Sequence, residues 1–120
     1  MTATPPDGDF RLPAHLEVSG LIRQVQAAGG FAAVVHKGER EAGTLIVILT
    51  EKGANARLFE RMPSAIGRRE WRLTRTQTPE NSVEFHEYIK RRGHQDSDLW
   101  IVELDIVNGE RFIGLSDETG

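Results

Sequence analysis

Two acids stand two residues apart near the end of the chain, Glu103 and Asp105. On a strand such a pair points to one face with Cα atoms roughly 6.5–7 Å apart. That separation falls in the range used by paired carboxylates in acid/base hydrolysis. Two features oppose a catalytic reading. Leu99, Ile101 and Val107 share that face, so the acids interrupt an apolar row, and local spacing fixes no histidine or lysine beside them. Arg72 could meet them across a sheet instead, as an exposed ion pair worth about 0–1 kcal/mol. The plainer reading is a salt-bridged, half-exposed sheet face.

A second constellation is basic. Arg68, Arg69, Arg72 and Arg75 surround Trp71. Arginine mixed with an aromatic can hold RNA or single-stranded DNA through phosphate contact and stacking. The surrounding charge is uneven: residues 61–93 carry eight Lys/Arg against four Asp/Glu, and residues 94–120 carry one Arg against seven Asp/Glu. The simplest meaning is that the two segments lie close and compensate. With a net charge of −3 and no recognisable nucleic-acid module, a large phosphate-binding surface is disfavoured.

The remaining chemistry-bearing types are sparse. His15, His36, His86 and His94 lack the tight spacing of metal ligands, and Gly93 should break the helix before His94. The chain has no cysteine, which removes disulfides, thiolate metal sites and a cysteine nucleophile. Gly29-Gly30 follows a helical pattern rather than a strand, so it reads as a helix exit and not a phosphate loop. No cofactor and no metal is expected.

The elements that would position these residues form one α+β domain over 10–120, after a flexible lead-in at 1–9. Val18, Leu21, Ile22, Val25 and Ala28 recur at helical spacing over 13–28. Strand patterns follow at Phe31–His36, Thr44–Thr50, Ala56–Arg61 and Arg69–Arg75. Their short links suggest a four-stranded antiparallel meander. Leu45–Leu49 is apolar on both faces and belongs at the centre of the sheet. A second helix spans about 79–92, with Gly93 as its stop. Leu99–Val107 is a strand, and Asn108-Gly109 predicts a hairpin turn to a return strand at Glu110–Leu115. Both helices are expected on one face of the sheet, with Trp71 and Trp100 in the core.

The segments Arg11-Leu12-Pro13, Ala27-Ala28-Gly29-Gly30-Phe31 and Tyr88-Ile89-Lys90-Arg91-Arg92 together resemble those of a small bacterial family. The strongest likeness is the run from Asp96 through Asp98-Leu99-Trp100 to Leu104. That family is known only as a domain of unknown function, with members of about this length. The likeness covers nearly the whole chain. Ser97 departs from it, standing where the family pattern has a proline. The resemblance implies no activity, cofactor or catalytic residue.

With no catalytic constellation, the sequence favours a non-enzymatic domain that binds another protein or itself through a sheet edge. The Arg68–Arg75 and Glu110–Leu115 strands are the expected edges, one basic and one acidic, and replacing Arg72 and Arg75 with Glu would then abolish association. The alternatives are a nucleic-acid binder using the arginines and a small hydrolase using Glu103 and Asp105. The first nine residues carry no basic start or apolar stretch, which speaks against a secretory signal. The longest apolar run is too short to cross a membrane. A cytoplasmic protein is expected.

Overall fold

A computed structural model describes residues 12–63 and 69–115. The elements are α1 (Ala14–Ala27), β1 (Phe31–His36), β2 (Leu45–Glu51), β3 (Ala54–Pro63), β4 (Arg69–Thr76), α2 (Ser82–Gln95), β5 (Trp100–Asp105) and a 3-10 turn at Gly109–Ile113. They build one α+β unit around a five-stranded sheet of order β1-β5-β2-β3-β4. The expected lead-in at 1–9 lies outside the described residues.

The sheet is mixed, not a meander. β2–β3 and β3–β4 pair antiparallel as neighbours in sequence, but β5 inserts between β1 and β2 and runs parallel to β2. The short-link rule holds where the link is tight. Lys52 and Gly53 both have positive φ, 54° and 78°, which is the geometry of a two-residue hairpin turn. It fails for β1 and β2, whose link is long enough to step across an inserted strand. That link lies directly on the approach to β5: a Cβ on Gly38 or on Gly43 would collide with the Asp98 carbonyl oxygen.

The helices cover opposite faces, which corrects the single-face expectation. The cause is β2, in which Leu45 to Thr50 are all buried. Its alternate residues feed two cores. Leu45, Val47 and Leu49 join Phe59, Trp100, Val102 and Leu104 beneath Val18, Leu21 and Val25 of α1. Ile46 and Ile48 join Leu58, Leu99 and Ile101 beneath Phe85 and Ile89 of α2. Each such side chain contributes roughly 1.5–3 kcal/mol when fully buried, so a bare face would forfeit several of them.

The predicted C-terminal hairpin does not form. Asn108 is left-handed, with φ 55°, but Gly109–Ile113 coils into a 3-10 turn instead of a return strand. β5 already has β1 on one edge and β2 on the other, so a following strand has no edge of it left to pair with. Ile113 instead closes the α1-side core.

The second helix starts at Ser82 and runs through Gly93 to Gln95. Gly93 is no stop: it is buried against β1, where a Cβ would come within 2.8 Å of His36 Cδ2. Packing demands a glycine there despite its cost of roughly 1 kcal/mol in a helix. Of the two tryptophans, Trp100 is core and its indole N–H donates to the Glu39 carbonyl at 2.8 Å. Trp71 is only half-buried, packed against the α1-side core, and its neighbour Leu73 is 52% exposed.

Candidate functional site

The outer strands of the sheet are β1 and β4. β4 was expected as an edge. The other expected edge, Glu110–Leu115, is not a strand, and β1 holds that position. The two edges differ in chemistry. β1 reads Phe-Ala-Ala-Val-Val-His, without a charged residue other than a titratable histidine at its end, and it exposes Phe31 (78%), Val34 (42%) and Val35 (48%). Its ladder with β5 is regular from Phe31 to Val34 and bulges between Val34 and His36. β4 reads Arg-Glu-Trp-Arg-Leu-Thr-Arg-Thr, the alternating charge that blunts an edge.

Sequence reasoning passed over β1 as a site. The signal was available, since Phe31–Val35 is an uncharged run in a chain that is 28% charged. What hid it was topology: with the return strand at Glu110–Leu115 expected as the outer strand on that side, β1 falls inside the sheet.

The arginines are dispersed along β4. Arg68 lies outside the described residues, and Arg69 opens the strand. Arg72 is exposed, 4.0 Å from the Glu70 carboxylate. The guanidinium of Arg75 lies 3.8 Å from the centre of the Tyr88 ring, a cation–π contact with α2. Arg72 does not meet Glu103 or Asp105, because β2 and β3 stand between β4 and β5.

Glu103 and Asp105 share a face but serve different neighbours. Asp105 accepts the backbone N–H of Lys52 at 2.7 Å on one oxygen and that of Gly53 at 2.9 Å on the other. It thereby holds the positive-φ turn of the β2–β3 hairpin. Glu103 is half-buried and accepts a long hydrogen bond, 3.4 Å, from the Thr50 hydroxyl.

Two adjacent β3 residues that were not singled out from sequence tie the helices to the two faces. Arg61 grips Glu17 of α1 with both terminal nitrogens, at 2.5 and 2.8 Å, and stacks on Trp71. Glu60 accepts from Arg92 of α2 at 2.8 Å, from the Thr74 hydroxyl at 2.9 Å and from the Tyr88 hydroxyl at 3.2 Å. Burial alone would raise the Glu60 carboxyl, but the hydrogen bonds and charge of Arg92, with Thr74 and Tyr88, outweigh it and hold the group below its ordinary value. Among the described residues, no ion pair joins the basic 61–93 segment to the acidic 94–120 segment. The basic segment is balanced instead by Glu17, Glu60 and Glu70.

The histidines also part company. His15 sits at the start of α1, where its Nδ1 contacts the Arg40 carbonyl and its Nε2 accepts from the Arg40 guanidinium, each at 3.1 Å. His86 Nδ1 is 2.9 Å from the Ser82 carbonyl oxygen. His36 and His94, far apart in sequence, line one cavity between β1 and α2. Among the described residues, no three histidine, aspartate or glutamate side chains converge as a metal site. No helix there is long and apolar enough to cross a membrane.

The run Asp98-Leu99-Trp100 has a structural task. The Asp98 carbonyl accepts from Glu39 N–H at 3.1 Å, the Trp100 indole reaches back to Glu39, and the Leu99 carbonyl accepts from His36 Nδ1 at 2.6 Å. This run therefore locks the β1–β2 link, whose Glu41 and Arg40 carbonyls in turn accept the first N–H groups of α1. Compared with protein-family models, the chain matches the protein of unknown function DUF1491 over residues 12–114. The chain belongs to the DUF1491 family. A crystal structure of a DUF1491 family protein from Caulobacter crescentus CB15 is 29% identical, aligns over 90% of this chain and 100% of its own, and has a TM-score of 0.75. An NMR structure of a DUF1491 family protein from the same organism is 31% identical over 86% of this chain and 93% of its own, with a TM-score of 0.71. The solution structure of protein Atu0922 from A. tumefaciens is 32% identical over 91% and 98%, with a TM-score of 0.70. No curated protein matches. DUF1491 is a family of unknown function, and nothing in these likenesses indicates an enzymatic or nucleic-acid-binding role.

Proposed function

We propose that this DUF1491 protein is a non-enzymatic interaction domain that associates with a second copy of itself through the edge of β1. The observation that carries the reading is the combination at β1 of an edge that no other described strand pairs with, exposed Phe31, Val34 and Val35, and no Lys, Arg, Asp or Glu. An unpaired strand edge is a template for another strand unless charge, cover or distortion blunts it. A second copy suits this edge because antiparallel pairing about a two-fold axis sets β1 opposite β1, an isologous contact with no like charges facing one another. The regular Phe31–Val34 stretch supplies the hydrogen bonds, and its exposed apolar side chains become covered.

The same operation at β4 is unfavourable, since it would bring arginine-rich strands together. The geometry lends less to the other two readings. Asp105 spends both carboxylate oxygens on a hairpin turn, and Arg75 lies on the Tyr88 ring.

The test is the mass of the protein in solution by light scattering across a concentration series, for the wild type and for Val34→Lys. A wild-type dimer that becomes monomeric in Val34→Lys with unchanged circular dichroism supports the reading. A wild type that stays monomeric throughout, or a variant that dimerises as well as the wild type, rejects it.

A further inference from the structure

A cavity of about 210 Å³ lies between the end of β1 and the last turns of α2, walled by Val35, His36, Ile89, Gly93 and Ile101, with Lys90 and His94 beside them. We infer that it is a binding site for a small organic carboxylate with an apolar body. Three observations point there. The first is size: a 150 Å³ apolar cavity holds benzene, so this one takes a body of that kind together with a carboxylate.

The second is polarity. Val35, Ile89 and Ile101 supply an apolar lining, and the ionisable lining groups are Lys90, His36 and His94, with no acid among them. An apolar pocket with a few converging polar groups is the usual form of a small-molecule site. Lys90 and His94 are one helical turn apart and so stand on the same side of α2, where a bound carboxylate meets both.

The third is construction. His36 is not a loose surface imidazole. Its Nδ1 lies 2.6 Å from the Leu99 carbonyl oxygen, which can only accept, so Nδ1 carries the proton and donates. Nε2 is then the ring's remaining polar atom. It can take a hydrogen bond from a hydroxyl or, once protonated, give one to a carboxylate. The ring has its place because α2 carries glycine at 93, where any Cβ would stand 2.8 Å from His36 Cδ2. The helix thus tolerates its least helix-prone residue but proline at the point where the imidazole enters.

The site shares Val35 with the proposed β1 edge but does not require association, and its test reads binding rather than mass. The probes are benzoate, benzyl alcohol, which keeps the ring without the charge, and acetate, which keeps the charge without the ring. NMR titration follows the ring signals of His36 and His94 and the methyl signals of Ile89 and Ile101. The expected result is one saturable process for benzoate shifting all four residues. Benzyl alcohol and acetate should each bind about tenfold or more weakly, the factor a charge-assisted contact or a buried ring is worth. Lys90→Gln, on an exposed position that leaves the fold intact, should weaken benzoate by about tenfold. Gly93→Ala should abolish binding by placing a methyl against His36. Absence of saturable shifts at these residues overturns the proposal. So does equal binding of benzoate and benzyl alcohol, or benzoate affinity that Lys90→Gln leaves unchanged.

Discussion

The two edges of this sheet are made of opposite materials. β4 places Arg72 and Glu70 in solvent and folds Arg75 onto Tyr88, so each exposed charge is a local obstacle to a further strand. β1 places Phe31, Val34 and Val35 in solvent with nothing of that kind. Among the described residues, one side of the sheet is therefore guarded by charge and the other is not. Where a chain of this charge content leaves one strand bare, the bare strand is the better place to look for a partner than the conspicuous basic one.

The largest expected effect comes from putting charge on the open edge. Phe31→Lys combined with Val34→Lys should weaken self-association by about 100-fold or more, roughly 2.8 kcal/mol, measured by sedimentation equilibrium. Next comes the tie that anchors β3 and β4 to α2. Glu60→Gln removes the charge opposite the half-buried Arg92 and should cost about 2 kcal/mol in urea unfolding, less than the loss from breaking a fully buried pair. The folded-state carboxyl of Glu60 lies below its ordinary 4.5. Its contribution is therefore complete above that value and is lost as pH falls through the lowered one. Glu60→Gln should accordingly flatten the acid limb of the stability curve, and an acid limb identical to the wild type's would contradict this assignment.

Asp105→Ala strips two backbone N–H groups of a charged acceptor at the β2–β3 turn. It should lower stability by about 1.5 kcal/mol without changing association, checked by thermal unfolding beside light scattering. The smallest effect sharpens the contrast most. Arg72→Glu with Arg75→Glu should leave the association constant unchanged and cost only about 0.5–1 kcal/mol of stability, from the lost contact with Tyr88. A β4 contact would instead make that pair of substitutions decisive.

Much of this architecture could be read from residue patterns. The helical spacing of Val18, Leu21 and Val25 placed α1, and the doubly apolar Leu45–Leu49 run placed β2 at the centre of the sheet. What escaped were features set by distant partners. Asn108-Gly109 carries the local chemistry of a hairpin, and Asn108 does take the left-handed conformation. Whether a strand follows depends on a free edge of β5, which β1 and β2 have both taken. Gly93 likewise looks like a helix stop until His36, 57 positions earlier in the numbering, comes to rest against it. The Glu103 and Asp105 pair was legible as two acids on one face. That Asp105 is occupied by a turn some fifty residues away was not. The pocket that unites His36 with His94 depends on the β1–β5 pairing, which no local spacing encodes.

The most direct test of the difference between the edges is amide hydrogen exchange, followed residue by residue in dilute and concentrated solutions of the wild-type protein. Association through β1 predicts that outward-facing amides within Phe31–Val34 gain protection as concentration rises, while those of β4 do not change. Protection gained in β4, or in neither strand, would contradict the account.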